Sequence, residues 1–177
     1  MEKNMELKNE EKLQKIEYYL FIFIITSMCG WVMELIYSSI ALHRLNIPGF
    51  LFGPYIPLYG MGTVIIIALC DDKSIFKKIG KIFVLTTTLE YVISIALEIV
   101  VHRKWWDYSN NFLNINGRVC LLYSTYWVVL GLAILKFIKP LFERIYNKIK
   151  SEKTTKLIKN LMLVMAVDLM LSVIRCI

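Results

Sequence analysis

Long apolar runs constrain this chain more than any other feature of its sequence. A bilayer core of about 30 Å requires about 20 apolar residues in helical form, and four runs approach that length while a fifth is shorter. A chain of 177 residues that is 57% hydrophobic cannot bury such runs in a core of its own. The pattern excludes an ordinary soluble domain and predicts an all-α, polytopic membrane helical bundle with about five transmembrane helices.

The apolar runs divide the chain into four predicted parts. Residues 1–17 form a charged cytoplasmic segment, 18–138 a four-helix membrane core, 139–160 a basic amphipathic cytoplasmic segment, and 161–177 a fifth span. Within the core, we expect spans at 18–42, 55–70, 82–101 and 119–138. The fifth apolar run, Leu161 to Ile174, has 14 residues and as a helix would reach only about 21 Å.

The distribution of lysine and arginine predicts the orientation. Sixteen of the 21 basic residues fall in the N-terminal tail, in the loop 71–81 and in the stretch 136–159, whereas five fall on the other side. Because basic residues accumulate on the cytoplasmic side, we expect a multi-pass protein of the cell (inner) membrane with its N-terminus in the cytoplasm. This distribution also explains the basic charge without a nucleic acid partner.

Several functional classes lack their sequence signatures. The four cysteines, Cys29, Cys70, Cys120 and Cys176, lie in or at the ends of apolar runs without a C-x-x-C pair, which favours small apolar fillers over disulfides or zinc ligands. With His43 and His102 as the two histidines, we expect no metal site and no other cofactor. The chain has no G-x-x-x-x-G-K-[ST] motif, so a conventional P-loop ATPase would have to be a separate subunit.

Acidic residues inside the apolar runs are the first candidates for a site. Glu34, Glu90, Glu98 and Asp168 lie in predicted spans, where a charge costs roughly 2.5–3.5 kcal/mol on insertion scales. Glu34 shares a helical stripe with small residues, and Glu90 shares one with Ser94 and Glu98. We expect these three glutamates to converge on the extracytoplasmic half and to line a polar cavity.

Two extracytoplasmic loops accompany these carboxylates. The first, 46–60, is rich in glycine and proline and cannot continue one helix, so we expect an irregular segment buried in protein or lining a cavity. Its candidate structural residues are Gly49, Gly53, Pro54, Pro57 and Gly60. The second loop supplies candidate polar and aromatic groups, namely Trp105, Trp106, Asp107, Tyr108, Asn114 and Arg118.

Structural roles compete with functional ones at each of these positions. The paired tryptophans are typical of an interfacial aromatic belt. Asp107 and Arg118 can pair with each other to order their loop. Glu34 and Glu90 can be protonated carboxyls that hydrogen-bond across helices. Asp168 and Arg175, seven residues apart and on nearly the same helical face, are interpreted as a snorkelling or pairing arrangement. The stripe Ile138, Leu141, Phe142, Ile145 and Ile149 predicts either a helix on anionic lipid or a docking surface for a cytoplasmic ATPase.

Several motifs in order resemble one bacterial membrane family. They are Gly30-Trp31 with Glu34, Gly49-Phe-Leu-x-Gly-Pro54, Pro57-x-Tyr-Gly60, Leu89-Glu-Tyr91 with Glu98, Trp105-Trp-Asp-Tyr-Ser109 and Asn114-x-x-Gly-Arg118-x-Cys-Leu121. Together they resemble the family labelled putative ABC-transporter type IV, or putative ABC transporter permease, over residues 27–132. The resemblance implies a permease subunit that works with a separate ATPase, but it supplies no substrate and no catalytic residues.

One departure from the family pattern concerns charge. The family usually has Asn-Arg-Gly before Phe-Leu, whereas here Asn46 precedes Ile-Pro-Gly. A basic partner for the carboxylates is therefore missing there, and Arg44, Arg103 or Arg118 would have to replace it. With about five spans, a pore would require a homo-oligomer or a partner chain.

Three classes of function follow from the sequence. The first is a transport-related membrane subunit with a polar cavity in its extracytoplasmic half. The second is a structural or regulatory membrane protein whose polar groups hold the bundle together. The third is an intramembrane lipid-modifying enzyme in which a buried carboxylate works beside an arginine that holds a head group. Membrane lipid is a partner in all three.

Overall fold

Helices form almost all the regular structure. The computed structural model describes residues 2–102 and 104–176. Its helices are α1 (Glu2–Ala41), α2 (Pro57–Leu69), α3 (Ile75–Val101), α4 (Leu121–Ala133), α5 (Lys139–Ile149) and α6 (Glu152–Ile174). No strand occurs in these two ranges, where β pairing is limited to an isolated bridge between Ile115 and Val119. The predicted all-α membrane bundle, with an irregular segment after its first helix, is confirmed.

Four helical stretches are long and apolar enough to cross a membrane: Leu7–Ala41, Ile75–Val101, Leu121–Ile149 and Glu152–Ile174. The protein is therefore a multi-pass membrane protein. The third stretch joins α4 to α5 through a π-helical turn, Ile134–Ile138. Pro140 is the second residue after that turn and lacks the amide that would bond the Lys136 carbonyl, so the wider turn accommodates its ring without ending the helix.

The lengths of α2 and α6 differ from those of their apolar runs. α2 has 13 residues and is the short apolar helix of the bundle. α6 has 23 residues because it begins at Glu152, well before the apolar run that starts at Leu161. Ser151 caps it by accepting the Thr154 amide at 3.3 Å. Its polar first turns supply the length that the apolar run lacks.

Glycines allow α2 to pack closely against its neighbours. A Cβ on Gly60 would lie 2.6 Å from the Phe23 carbonyl oxygen of α1, and one on Gly62 would lie 2.8 Å from the Trp127 ring of α4. The centre of the bundle contains Ile22, Ile66 and Ile82, all with no exposed surface. Small residues thus bring helices together where apolar burial alone would not, since lipid tails are as apolar as the helices.

The end of the bundle that carries the α2–α3 loop and the start of α6 is called the basic end. Here Asp71 lies 2.6 Å from Lys139 and 3.3 Å from Lys78, and Asp72 lies 2.9 Å from Lys81. The hydrogen bond from Lys139 lowers the pKa of the Asp71 carboxyl. These contacts tie the α2–α3 loop to the start of α5.

The amphipathic stretch predicted at the basic end divides between core and surface. Phe142 and Tyr146 are buried, and both rings pack against Phe21 of α1. The remaining apolar side chains of α5 are exposed: Leu141, Ile145 and Ile149. One face of the stretch therefore completes the bundle while another stays open.

Candidate functional site

The opposite end of the bundle, called the loop end, carries the two irregular segments 42–56 and 102–120. Segment 42–56 does not lie across the helix ends. The amide of Ile56 donates to the Ser27 carbonyl at 2.9 Å, and Ser27 lies 14 residues before the end of α1, which corresponds to a depth of about 21 Å. This segment is therefore called the descending segment, and α2 begins where it ends, deep in the bundle.

Side chains of α6 satisfy the backbone of the descending segment. Asp168 accepts the amides of Phe52 at 3.0 Å and Gly53 at 2.8 Å, and it also accepts the Tyr55 hydroxyl. Arg175 donates to the Phe50 carbonyl at 2.8 Å, and its guanidinium lies 4.3 Å from the centroid of the Phe52 ring. Irregular backbone can lie at membrane depth because protein groups replace the missing helical hydrogen bonds.

The expected pairing of Asp168 with Arg175 is not what the structure has. Among the described residues no ion pair joins these two side chains, and Ser172 instead donates to Asp168 at 3.1 Å. Both charged groups act on the descending segment, whose amides need an acceptor and whose carbonyl needs a donor. Their spacing of seven residues places them on one face of α6, and that face meets the segment.

The candidate structural residues of the descending segment and α2 occupy different positions and make different contacts. Gly49 has φ +104°, a conformation that residues with a side chain rarely adopt. Gly53 and Pro54 lie in the irregular segment, Pro57 occupies the first turn of α2, and Gly60 belongs to α2 itself. Asp168 approaches the backbone at Gly53, while Gly60 provides the helix contact with α1.

Two glutamates on different helices accept tyrosine hydroxyls. Glu34 of α1 accepts the Tyr59 hydroxyl of α2 at 3.0 Å. Glu90 of α3 accepts the Tyr108 hydroxyl at 3.2 Å, although Tyr108 belongs to the segment 102–120. Electrostatic interactions link Tyr59 to both carboxylates and link Glu34 to Glu90. The structure thus brings Glu34, Glu90 and Tyr108 together.

Aromatic side chains of α4 complete this group. Tyr123 stacks on Tyr108 with ring centroids 4.3 Å apart and an interplanar angle of 16°. The Trp127 ring packs 5.5 Å from that of Tyr59 and lies beside Glu90. We call this group the carboxylate–tyrosine cluster; its members are Glu34, Tyr59, Glu90, Tyr108, Tyr123 and Trp127.

The cluster reaches from a buried carboxylate to the surface. Glu90 is only 4% exposed, whereas Tyr37, whose hydroxyl lies 3.0 Å from that of Tyr123, is 52% exposed. Burial and the neighbouring carboxylate of Glu90 raise the pKa of Tyr108, so its hydroxyl remains a donor. Tyr37, Tyr123 and Tyr108 therefore form a series of aromatic hydroxyl groups between the surface and Glu90.

Glu98 belongs to a second group, nearer the helix end. It forms an ion pair with Arg118, whose guanidinium also donates to Ser94 at 3.2 Å. His102 ends α3 in a left-handed conformation, with φ 55°, and its amide bonds the Glu98 carbonyl. Arg118 therefore pairs with Glu98 rather than with Asp107, and it partners neither Glu34 nor Glu90.

The other candidates order the segment 102–120. The Asp107 carboxylate accepts the Ser109 amide at 3.0 Å and the Ser109 hydroxyl, which lower its pKa. Asn114 donates to the carbonyls of Ser109 and Asn111, at 3.0 Å each, and accepts the Gly117 amide at 3.1 Å. These contacts support a structural role for Asp107 and Asn114.

The tryptophans connect this segment to its surroundings. Trp106 donates its indole N–H to the Arg118 carbonyl at 2.8 Å, and Trp105 packs edge-on against Phe50 of the descending segment at 5.7 Å. Of the alternative basic partners, Arg103 lies outside the described residues. Trp105 therefore joins the two irregular segments of the loop end, whereas the hydrogen bond of Trp106 stays within segment 102–120.

Sequence reasoning did not name Tyr59, Tyr123 or Trp127 as site residues. Tyr59 stands in the Pro57-x-Tyr-Gly60 motif, and Tyr123 and Trp127 lie four residues apart, on one face of α4. That spacing was the available signal, but many apolar helices carry aromatic residues at such intervals. Contact with the glutamates could not be read from the spacing.

Two of the cavities between the helices are lined by apolar surface. One of about 650 Å³ lies between the descending segment and α6, and one of about 370 Å³ lies among residues of α1, α2, α3 and α6. Neither is lined by Glu34, Glu90 or Glu98. No group of three or more histidine, cysteine or acidic residues placed to hold a metal ion occurs among the described residues.

Comparison with protein families gives one match that covers most of the chain. The model of the family described as "Putative ABC-transporter type IV" matches residues 21–173. The comparisons with curated proteins and with solved structures gave no significant match. The matched range includes all six helices in whole or in part and both irregular segments of the loop end. The chain therefore belongs to the family described as putative ABC-transporter type IV.

Proposed function

We propose that the chain is a transport subunit of the cell (inner) membrane and that the carboxylate–tyrosine cluster lines its polar path. The observation that carries the proposal is the meeting of Glu34 and Glu90 from separate helices, each bonded to a tyrosine hydroxyl, with no described basic side chain hydrogen-bonded to either. Acidic groups that face protein at membrane depth are costly and mark pathways for ions or polar solutes.

The proposed orientation follows the charge asymmetry. The basic end, with Lys139, Lys78 and Lys81 around its aspartates, lies in the cytoplasm, and the loop end faces outward. The cluster then opens toward the outer side through Tyr37. The N-terminus lies in the cytoplasm.

The proposed partner is a separate cytoplasmic ATPase. The chain lacks a P-loop motif of its own, and α5 presents Leu141, Ile145 and Ile149 on its exposed face at the basic end. That face can receive a partner or rest on anionic lipid. With four long helices and one short one, the chain would complete a pore as a homo-oligomer or with a second membrane subunit.

The lipid-modifying alternative is less well supported. It needs an arginine free to hold a head group beside a catalytic carboxylate, but Arg118 is engaged by Glu98, Ser94 and the face of the Tyr91 ring. The structural alternative predicts that the cluster is permanently closed. It is the competing outcome of the following experiment.

Thiol accessibility distinguishes a path from a closed core. In a background without the four native cysteines, Ser94→Cys and Ser172→Cys place single thiols at positions 1% and 0% exposed. Ser94 lies on the stripe between Glu90 and Glu98, whereas Ser172 lies on α6 against Asp168. A membrane-impermeant cationic thiosulfonate added outside should label Ser94→Cys at least tenfold faster than Ser172→Cys. Equal protection of both would contradict the proposed path.

The same labelling tests the orientation. Asn110→Cys and Lys77→Cys place thiols at exposed positions of the loop end and the basic end. In intact cells the impermeant reagent should label Asn110→Cys and spare Lys77→Cys until the membrane is opened. The reverse pattern would overturn the proposed orientation.

A further inference from the structure

We propose that the carboxylate–tyrosine cluster is a reversible proton-binding site, with Glu90 as the group that takes up and releases the proton. The inference rests on the proposed function, because it names the ligand of the same site. It goes further in assigning one carboxylate and one chemical class of ligand.

One carboxylate oxygen of Glu90 lacks a hydrogen-bond partner. Glu90 is 4% exposed, and while its Oε1 accepts the Tyr108 hydroxyl, its Oε2 is buried and has no hydrogen-bond partner among the described residues. The Trp127 indole lies near this carboxylate and interacts with it, but it forms no hydrogen bond with Oε2. An ionised carboxylate oxygen left bare at this depth is costly, so a ligand of opposite charge belongs on it.

The described groups that face this oxygen carry no positive charge. Glu90 is faced by Glu34 from α1, Tyr59 from α2, Trp127 from α4 and Tyr108 from segment 102–120. Tyr123 of α4 stacks on Tyr108. None of these is a cation, and on its own helix the neighbouring charged group, Glu98, is already paired with Arg118. A positive charge must therefore come from solution rather than from a described side chain.

The few free oxygen ligands at this site limit what it can bind. A bound calcium ion would need about six to eight oxygen ligands, whereas the hydroxyls of Tyr59 and Tyr108 are already used by the two glutamates. A proton needs one lone pair and no cavity, and Oε2 supplies that lone pair.

The chemical step is simple. A proton from the outer solution forms an O–H bond at Oε2 and converts the carboxylate to a neutral carboxylic acid; the reverse step breaks that bond. No other bond changes and no redox partner is needed. The hydroxyls of Tyr37, Tyr123 and Tyr108 lie between the exposed surface and Glu90, on the side from which the proton would arrive.

Infrared spectroscopy of the full chain in lipid bilayers tests the proposal directly. A protonated carboxyl gives a C=O stretching band that an ionised one lacks and that shifts in D₂O. We expect the wild-type protein to have such a band at neutral pH, to lose it reversibly in alkali, and to lose it altogether in Glu90→Gln. The isosteric glutamine should preserve the fold, and the circular dichroism of each variant monitors this.

Two further variants make the assignment specific. Glu98→Gln removes a carboxylate that is paired with Arg118 and lies outside the cluster, so the band should persist unchanged. Glu90→Asp keeps a carboxyl and should retain a band at a shifted frequency. Absence of the wild-type band, or its survival in Glu90→Gln, would overturn the proposal. Because the measurement needs no ATPase, its failure is separate from failure of the proposed function.

Discussion

The carboxylate of Asp168 in α6 accepts the backbone amide of Gly53 at 2.8 Å, across 115 residues of sequence. The same carboxylate accepts the amide of Phe52 and the hydroxyl of Tyr55. An acidic residue inside an apolar run is therefore the main acceptor for an irregular segment that descends beside α1. This contact fixes the level at which α2 starts and so places Tyr59 opposite Glu34.

Replacing Asp168 should destabilise the protein through that segment. Asp168→Asn removes an acceptor from one buried amide, and we expect the free energy of unfolding to fall by about 1–3 kcal/mol, with a larger loss for Asp168→Leu. Thermal unfolding in detergent measures this loss of stability. Glu152→Gln on the same helix removes an exposed ion pair with Lys156 and should change little. Equal effects of Asp168→Asn and Glu152→Gln would contradict the role of Asp168.

Alanine at Gly60 tests the close contact between α1 and α2. Its Cβ would meet the Phe23 carbonyl and the Ser27 side chain, so we expect a loss of about 1–3 kcal/mol. Gly80 is the matched control, since it also lies in a helix but a Cβ there meets nothing within 4 Å. Gly80→Ala should instead stabilise by about 0.5–1 kcal/mol. Stabilisation by both substitutions would show that the helices separate more freely than described.

A double-mutant cycle measures the pairing of Glu98 with Arg118. The side chains are 35% and 16% exposed, and Arg118 is also held by Ser94. We expect Glu98→Gln and Arg118→Met to couple by at least about 1 kcal/mol in thermal unfolding, above the usual value for surface pairs. The exposed pair Glu152–Lys156 should give a coupling near zero. Additive effects at Glu98 and Arg118 would contradict the pairing.

Acid should weaken the tie between the α2–α3 loop and α5. The hydrogen bond from Lys139 lowers the pKa of Asp71 in the folded protein, so its ionised form stabilises the fold at every pH above the ordinary value of about 3.9. That contribution is lost as the pH falls through the lowered pKa. The difference in melting temperature between wild type and Asp71→Asn should therefore shrink between about pH 5 and pH 2. A constant difference would contradict this account, and Lys139→Met should reduce the difference at neutral pH.

The helical architecture could be predicted from the sequence because it follows from apolar runs and the length of a bilayer. The depth of the descending segment could not be predicted from the sequence. Proline and glycine at 48–57 indicate that a helix stops, but the level at which α2 begins depends on Ile56 meeting Ser27 and on Asp168 meeting Gly53. Contacts over such separations have no local signature.

The candidate site could be predicted in part, for the same reason. The cost of charge in apolar runs singles out Glu34 and Glu90, and helical spacing places Glu98 near Ser94. Which glutamate takes Arg118 depends on the path of segment 102–120, as does the contact of Tyr108 with Glu90. Asp107 and Asn114 also carry polar side chains, but these form hydrogen bonds with the backbone of their own segment.

Purification from membranes in mild detergent, followed by mass spectrometry of proteins and bound lipids, tests the transport assignment most directly. The account predicts a cytoplasmic ATPase in stoichiometric amount with both the wild type and the Glu34→Gln/Glu90→Gln variant, because the cluster lies far from the basic end. It also predicts that replacing Leu141, Ile145 and Ile149 by serine removes the ATPase. Recovery of the wild-type chain without any ATPase, together with a specific lipid that the glutamine variant loses, would contradict the account and favour a lipid-modifying enzyme.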